Sequence, residues 1–185
     1  MPFTNQAKLD VKSKLNNKAI FFDRDGVLNH LVERDGGFFS PRKFDDFKLY
    51  QDTYNVIKKL KSKKYLIIII SNQPDISRLS MKEEELNKMN QFLYNQLKID
   101  DIFYSFESNV KIDGTKKPSP KMIYEAQDKW NIDLSKSYMV GDSIADLECA
   151  SNASVKFILM KRMSSNIYND IEINNLSDLL RCIPK

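Results

Sequence analysis

The chain has 185 residues, is 42% hydrophobic and 29% charged, and carries a formal net charge of +4 at pH 7. That apolar share suits one globular domain with a sizeable core, and the length argues against a second full domain. So mild a positive balance suits phosphorylated small molecules without requiring nucleic acid, and no apolar run approaches the length needed to span a bilayer, residues 66–70 being far too short.

Residues 1–17 are polar and rich in Lys and Asn, which reads as an arm ahead of a single domain over 18–185. A first strand is expected at 19–22. It runs directly into Asp23-Arg24-Asp25-Gly26, two carboxylates two residues apart followed by a turn-permitting glycine. On an extended strand alternate residues share a face, so Asp23 and Asp25 both approach one ligand at the strand exit. Residues 27–49 hold Gly36-Gly37, Pro41 and several aromatics, the composition of a folded loop or hairpin, a flap over that exit. Asp52 is placed to cap a helix with Tyr54, Ile57 and Leu60 on one face. The run at 65–70 is apolar and β-branched, as in a strand buried on both faces, with Ser71 and Asn72 at its exit.

Ser80-Met81-Lys82-Glu83 has the spacing of a capping box, ahead of Leu86, Met89, Leu93 and Leu97 at helical intervals. A short strand is expected at 102–106. Ser119-Pro120 opens a further helix with an apolar stripe of Met122, Ile123, Ala126 and Trp130, after Lys116-Lys117-Pro118. A strand at 138–140 leads into a second acidic turn, Gly141-Asp142-Ser143-Ile144-Ala145-Asp146, then a helix through Cys149 and a strand over 156–160. Alternating strands and helices predict an α/β fold, a Rossmann-like three-layer sandwich with a central parallel sheet whose ligands bind at the carboxyl ends of the strands.

The two acidic clusters, with a hydroxyl and a cation between them, suggest a hard-cation phosphoryl-transfer site. In this order they resemble the haloacid dehalogenase superfamily of phosphatases, with Asp23 and Asp25 as the first motif, Ser71 the second, Lys117 the third, and Asp142 with Asp146 the fourth. Asp23-Arg24-Asp25-Gly26-Val27-Leu28-Asn29, Asn72-Gln73-Pro74-Asp75-Ile76-Ser77-Arg78, Lys116-Lys117-Pro118-Ser119-Pro120 and Tyr138-Met139-Val140-Gly141-Asp142 are similar to the branch of D,D-heptose 1,7-bisphosphate and histidinol phosphatases, over about residues 18–160.

The resemblance implies a capless enzyme with a small flap. Asp23 is then the nucleophile that forms an aspartyl-phosphate and Asp25 the acid/base. Ser71, Asn72 and Lys117 bind the phosphoryl group. Mg2+ is held by Asp23, Asp142 and the main-chain carbonyl of Asp25, with Asp146 supporting from just outside. Arg78 and Lys116 match positions where the family places groups that contact substrate. The implied activity is a magnesium-dependent phosphatase for a small metabolite, a heptose or other sugar phosphate; histidinol phosphate, a nucleic-acid 3′-phosphate and a catalytically silent phosphometabolite-binding module are the competing readings. The zinc loop common in that branch has no counterpart in Ser105-Phe106-Glu107-Ser108-Asn109 or Asp113-Gly114-Thr115. Asp75 stands where a glycine is usual and Ser143 where a lysine is frequent. One adds a negative charge and the other removes a positive one, so a preference for monophosphates over bisphosphates is expected.

Other features receive structural readings. Lys58, Lys59, Lys61, Lys63 and Lys64 lie at a helix end, where cations suit the dipole, and no aromatic interleaving marks a nucleic-acid stacking face. His30, the lone histidine, adjoins the flap without the partners that general-base chemistry uses. The start, Met1-Pro2-Phe3-Thr4-Asn5-Gln6, lacks a secretory pattern, and Cys149 and Cys182 form no metal-spaced pair. A cytoplasmic protein with reduced thiols, no membrane or nucleic-acid partner and a plausible monomeric state is expected.

Overall fold

The structure, a computed structural model, describes residues 16–161 and 167–184; all but the end of the N-terminal arm read at 1–17 lies outside them. Six parallel strands form one sheet in the order β5-β4-β1-β6-β7-β8, where β1 is Lys18–Phe22, β4 Tyr65–Asn72, β5 Asp101–Ser105, β6 Tyr138–Gly141, β7 Lys156–Met160 and β8 Glu172–Ile173. The chain builds outward from β1 in one direction, then returns to start again at β6 on its other side. The strand order therefore reverses between β1 and β6, which is where an open α/β sheet leaves a crevice.

Each face of the sheet is covered. Within β4, Ile67 and Ile69 join one apolar cluster and Ile68 and Ile70 the other, all four fully buried. The unbroken isoleucine run is thus the signature of a strand with helices on both sides. Helices α1 (Thr53–Ser62) and α3 (Glu83–Leu97) fill the first layer with Val56, Ile57 and Leu60, and with Leu86, Met89, Leu93 and Leu97. Helices α4 (Lys121–Trp130) and α5 (Ile144–Asn152) fill the second with Met122, Ile123, Ala126, Cys149 and Ala150. At roughly 1.5–3 kcal/mol per fully buried large aliphatic side chain, these two layers hold the sheet.

The flap is a hairpin, β2 (Val32–Arg34) antiparallel to β3 (Gly37–Phe39), standing apart from the main sheet. Gly36, at φ +74°, supplies its left-handed turn.

Three local expectations need correction. The Ser80 capping box does not form: α3 starts at Glu83 with Lys82 as its N-cap and no side-chain cap. The main-chain N–H groups of Ser80 and Met81 donate instead to the Asp75 carbonyl, and Glu83, Glu84 and Glu85 suit the positive end of the helix dipole. Asp52 precedes α1, but its carboxylate accepts from Ser177 N at 2.9 Å and Ser177 Oγ at 3.1 Å rather than capping the helix. Tyr54 is 54% exposed, and Val56 takes the core position expected of it. Trp130 is half-buried against the second cluster, its indole N–H donating to Asp101 Oδ2 at 2.7 Å.

Among the lysines at the end of α1, Lys61 Nζ lies 3.0 Å from both Asp100 carboxylate oxygens and Lys63 donates to the Pro184 carbonyl. Cys149 and Cys182 are free thiols. No helix among the described residues is long and apolar enough to cross a membrane.

Candidate active site

Strand ends place the acids. Asp23 N donates to the Val140 carbonyl at 2.9 Å, extending the β1–β6 pairing one residue past the strand and fixing Asp23 beside Gly141 and Asp142. Gly26, at φ +88°, lets the chain turn away at once. A Cβ there would lie 2.0 Å from Asp142 Oδ2, so the residue's bareness makes room for that carboxylate. Gly141 does the same for Asp146, whose Cβ would be 2.3 Å from an added methyl carbon.

Lys117 joins the clusters. It is 3% exposed, and its Nζ lies 2.6 Å from Asp23 Oδ1 and 2.6 Å from Asp146 Oδ1 while donating to the Ile70 carbonyl at 2.9 Å. Asn72 holds the lysine's backbone from both sides, its Oδ1 accepting from Lys117 N at 2.9 Å and its Nδ2 donating to Lys117 O at 3.3 Å. Asp146, fully buried, also closes a capping box with Ser143 at the start of α5. Burial disfavours the lysine's charge, yet the Asp146 and Asp23 carboxylates outweigh it and hold Lys117 above its ordinary range.

The two motif acids have opposite surroundings. Burial raises Asp23 to about 8; Lys117 opposes, and the carboxylates of Asp146, Asp142 and Asp25 add to the rise. Burial also opposes the charge on Asp25, but the Arg24 guanidinium and hydrogen bonds from Arg24, Asn29 and Gln73 outweigh it, leaving Asp25 below the ordinary carboxylate range. Arg24 grips it with Nε to Oδ1 at 3.1 Å and a second nitrogen to Oδ2 at 2.8 Å; Asn29 Nδ2 and Gln73 Nε2 reach it at 2.9 and 2.8 Å.

Carboxylate oxygens of Asp23, Asp142 and Asp146 lie within 4.8 Å of one another. Burial, with the Asp146 charge beside it, raises Asp142 to about 7. An oxygen-only donor set whose members resist ionising together fits a hard divalent cation, which would neutralise what the protein leaves uncompensated. With Asp146 already engaged by Lys117 and Ser143, Asp23 and Asp142 are the carboxylates best placed to hold it.

These groups floor a cavity of about 310 Å³ at the strand ends. Asp23, Asp25, Asn72, Lys117, Asp142 and Ser143 form the floor, and the flap supplies Leu31, Phe38, Phe39 and Ser40 as the opposite wall. Ser71 stands behind Asn72, 2% exposed, its hydroxyl accepting from Gln73 Nε2 at 2.8 Å. Arg78 and Lys116 are not brought into the lining. Arg78 turns toward Asp75 at 3.8 Å with its side chain 51% exposed, and Lys116 Nζ donates to the Ser108 carbonyl. His30 also lies outside it, its ring 3.9 Å from that of Tyr50.

Sequence reasoning passed over Arg24, Asn29 and Gln73, the three residues that set the state of Asp25. The signal for Gln73 was strand alternation: β4 extends to Asn72, so Gln73 returns to the side of Ser71, where both meet Asp25. The extra negative charge read at Asp75 is also not bare, because Arg42 Nε donates to its Oδ2 at 2.6 Å.

A family model described as haloacid dehalogenase-like hydrolase matches residues 39–160. The D-glycero-β-D-manno-heptose-1,7-bisphosphate 7-phosphatase of Haemophilus ducreyi is 31% identical over 90% of this chain and 98% of its own length. The enzyme of the same name from Escherichia coli is 28% identical over 90% of this chain and 94% of its own. In fold, the D,D-heptose 1,7-bisphosphate phosphatase of B. bronchiseptica, solved with magnesium and phosphate, superposes with a TM-score of 0.75 at 22% identity, covering 89% of this chain and 98% of that one. A D,D-heptose 1,7-bisphosphate phosphatase from Burkholderia thailandensis gives a TM-score of 0.61 at 20% identity.

Proposed function

This chain belongs to the haloacid dehalogenase-like hydrolases and is a phosphoric monoester hydrolase, and from that premise we propose that it hydrolyses a sugar phosphate of the heptose class through an aspartyl-phosphate on Asp23, with Mg2+ as its cation. The observation that carries the reading is the pairing of Lys117 with Asp23 at 2.6 Å on the floor of the cavity, beside an Asp25 gripped by Arg24, Asn29 and Gln73. The names of the heptose-bisphosphate phosphatases to which the chain is similar support the sugar class.

The residues divide the work. An Asp23 oxygen attacks phosphorus, and the bond to the leaving oxygen breaks with its electron pair remaining on that oxygen, which takes a proton through Asp25, a carboxylate in the free site that first accepts that proton from the ester's phosphate monoanion. Water then attacks the same phosphorus and gives a proton to Asp25; the bond to Asp23 breaks, restoring its carboxylate and releasing phosphate. The four contacts that keep Asp25 ionised suit it to accept that second proton. Lys117 lowers the cost of bringing an anionic ester to Asp23 and supplies fixed positive charge to the transferring oxygens. Asp23, Asp142 and the Asp25 carbonyl are the proposed holders of Mg2+, which when bound supplies charge neutralisation to those same oxygens. Asp146 holds Lys117 in place, and Asn72 orients its backbone.

The test is phosphate release by the purified protein with Mg2+ against a panel of sugar, histidinol, nucleotide and aryl phosphates. Turnover led by sugar phosphates is expected. Turnover led by histidinol phosphate or a nucleic-acid 3′-phosphate would overturn the substrate class.

A further inference from the structure

The wall facing the acids is apolar and aromatic. Phe38 and Phe39 are 51% and 45% exposed, although both line the cavity together with Leu31. Two adjacent exposed rings on the wall of one cavity form the kind of contiguous apolar patch that marks a ligand-binding groove. They are also held in position. The Arg34 guanidinium lies 5.4 Å from the Phe39 ring centre and donates to the Ser40 carbonyl at 2.9 Å. The Phe39 ring sits so closely over Gly37 that an added Cβ there would be 2.9 Å away. Past the hairpin, Arg42 is tied to Asp75 at 2.6 Å and Phe44 N donates to Glu85 Oε2 at 2.6 Å, so the flap's return limb is fastened to the short helix α2 (Pro74–Ser77) and to the first turn of α3.

Among the described residues no basic side chain of the flap lines the cavity, Arg34 lying over the Phe39 ring and held to the Ser40 carbonyl. Among the described residues lining the cavity, Lys117 is the one cation, and Asp23 and Asp146 already flank it. Of the cations nearby in the chain, Arg42 is tied to Asp75 at 2.6 Å, Arg78 faces the same carboxylate at 3.8 Å with half its side chain exposed, and Lys116 donates to the Ser108 carbonyl. A second phosphate on the substrate would leave water to face phenyl rings and acids without a paired cation, a costly exchange. A pyranose ring, which presents C–H bonds on its faces, gains by covering them.

We propose that Phe38 and Phe39 are the specificity-determining residues of this enzyme, stacking on the ring of a sugar monophosphate and excluding the bisphosphate. This rests on the sugar-phosphate reading above and narrows it.

The test compares kcat/KM with Mg2+ for a pyranose monophosphate, its bisphosphate, acyclic glycerol phosphate and an aryl phosphate, in the wild type and in Phe38→Ala, Phe39→Ala, Phe38→Tyr and Phe39→Tyr. The wild type prefers the pyranose monophosphate to the bisphosphate by about tenfold or more. Each alanine variant loses about three- to tenfold on the ring-bearing monophosphate through KM, leaves glycerol phosphate within about twofold, and is rescued by tyrosine. Preference for the bisphosphate, or equal losses on ring-bearing and acyclic esters, overturns the proposal. If the aryl phosphate alone is turned over and depends on Phe38, the sugar reading fails while the aromatic wall stands; silence on every ester overturns both.

Discussion

Arg42 Nε donates to Asp75 Oδ2 across 2.6 Å, joining the limb that leaves the flap to the turn that follows β4. The aspartate therefore acts as a fastening of the flap rather than as a free negative charge at the mouth of the cavity. A partly exposed pair of this kind contributes about 0.2–1 kcal/mol. Asp75→Asn should leave thermal stability nearly unchanged and raise KM by about two- to fivefold, with kcat less affected. Steady-state kinetics beside a melting curve checks this, and an unaltered KM would remove the flap from substrate binding.

The two motif acids should separate in kinetics although they are chemically alike. Asp23→Asn abolishes turnover, because among the floor carboxylates of Asp23, Asp25 and Asp142 it is Asp23 that pairs with Lys117. Asp25→Asn lowers kcat by about two to four orders of magnitude. Gln73→Leu, which removes one hydrogen bond from Asp25 Oδ2 and one from Ser71 Oγ, should fall between wild type and Asp25→Asn. Near-normal turnover by Asp23→Asn would show the nucleophile to be elsewhere.

Gly26→Ala should damage the site more than a surface glycine would. It imposes a side chain at φ +88° and drives its Cβ onto Asp142; Gly36→Ala, also at positive φ but with open space around it, serves as the control. The backbone cost alone is about 1 kcal/mol or more in either case. Loss of Mg2+ affinity in Gly26→Ala but not in Gly36→Ala, measured by calorimetry, is the expected result.

Stability without a cation should fall as pH rises through neutrality. Burial holds Asp23 at about 8 and Asp142 at about 7, both above their ordinary value of 3.8. Between those limits the folded state carries more protons than the unfolded one, so raising the pH favours unfolding. A divalent cation replaces the protons. The rise in melting temperature on adding Mg2+ should therefore be larger at pH 8 than at pH 6, and a Mg2+ effect independent of pH would contradict the assignment of these acids as its ligands.

What the sequence disclosed and what it concealed divide along range of contact. The isoleucines of β4 and the heptad-like spacing of Leu86, Met89, Leu93 and Leu97 were legible because burial on one or two faces is written in local periodicity. The acids and Lys117 were legible because they sit at strand ends or beside a helix-opening Pro. Asp52 was misread because Ser177, far along the chain, captures its carboxylate. Arg78 and Lys116 were expected at the substrate for a similar reason: Asp75 and the Ser108 carbonyl compete for them, and that competition exists only once the loops have folded together. The lock on Asp25 was likewise hidden, since Arg24, Asn29 and Gln73 converge on it from two separate strand exits.

The most direct measurement is rapid acid quench of the enzyme turning over a sugar monophosphate in Mg2+, followed by mass spectrometry of the peptide that carries Asp23. The account predicts a phosphoryl group on Asp23 that appears and disappears at rates compatible with kcat, and its absence in Asp23→Asn together with turnover. Phosphate release without any modification of Asp23, or turnover that survives Asp23→Asn, would contradict it.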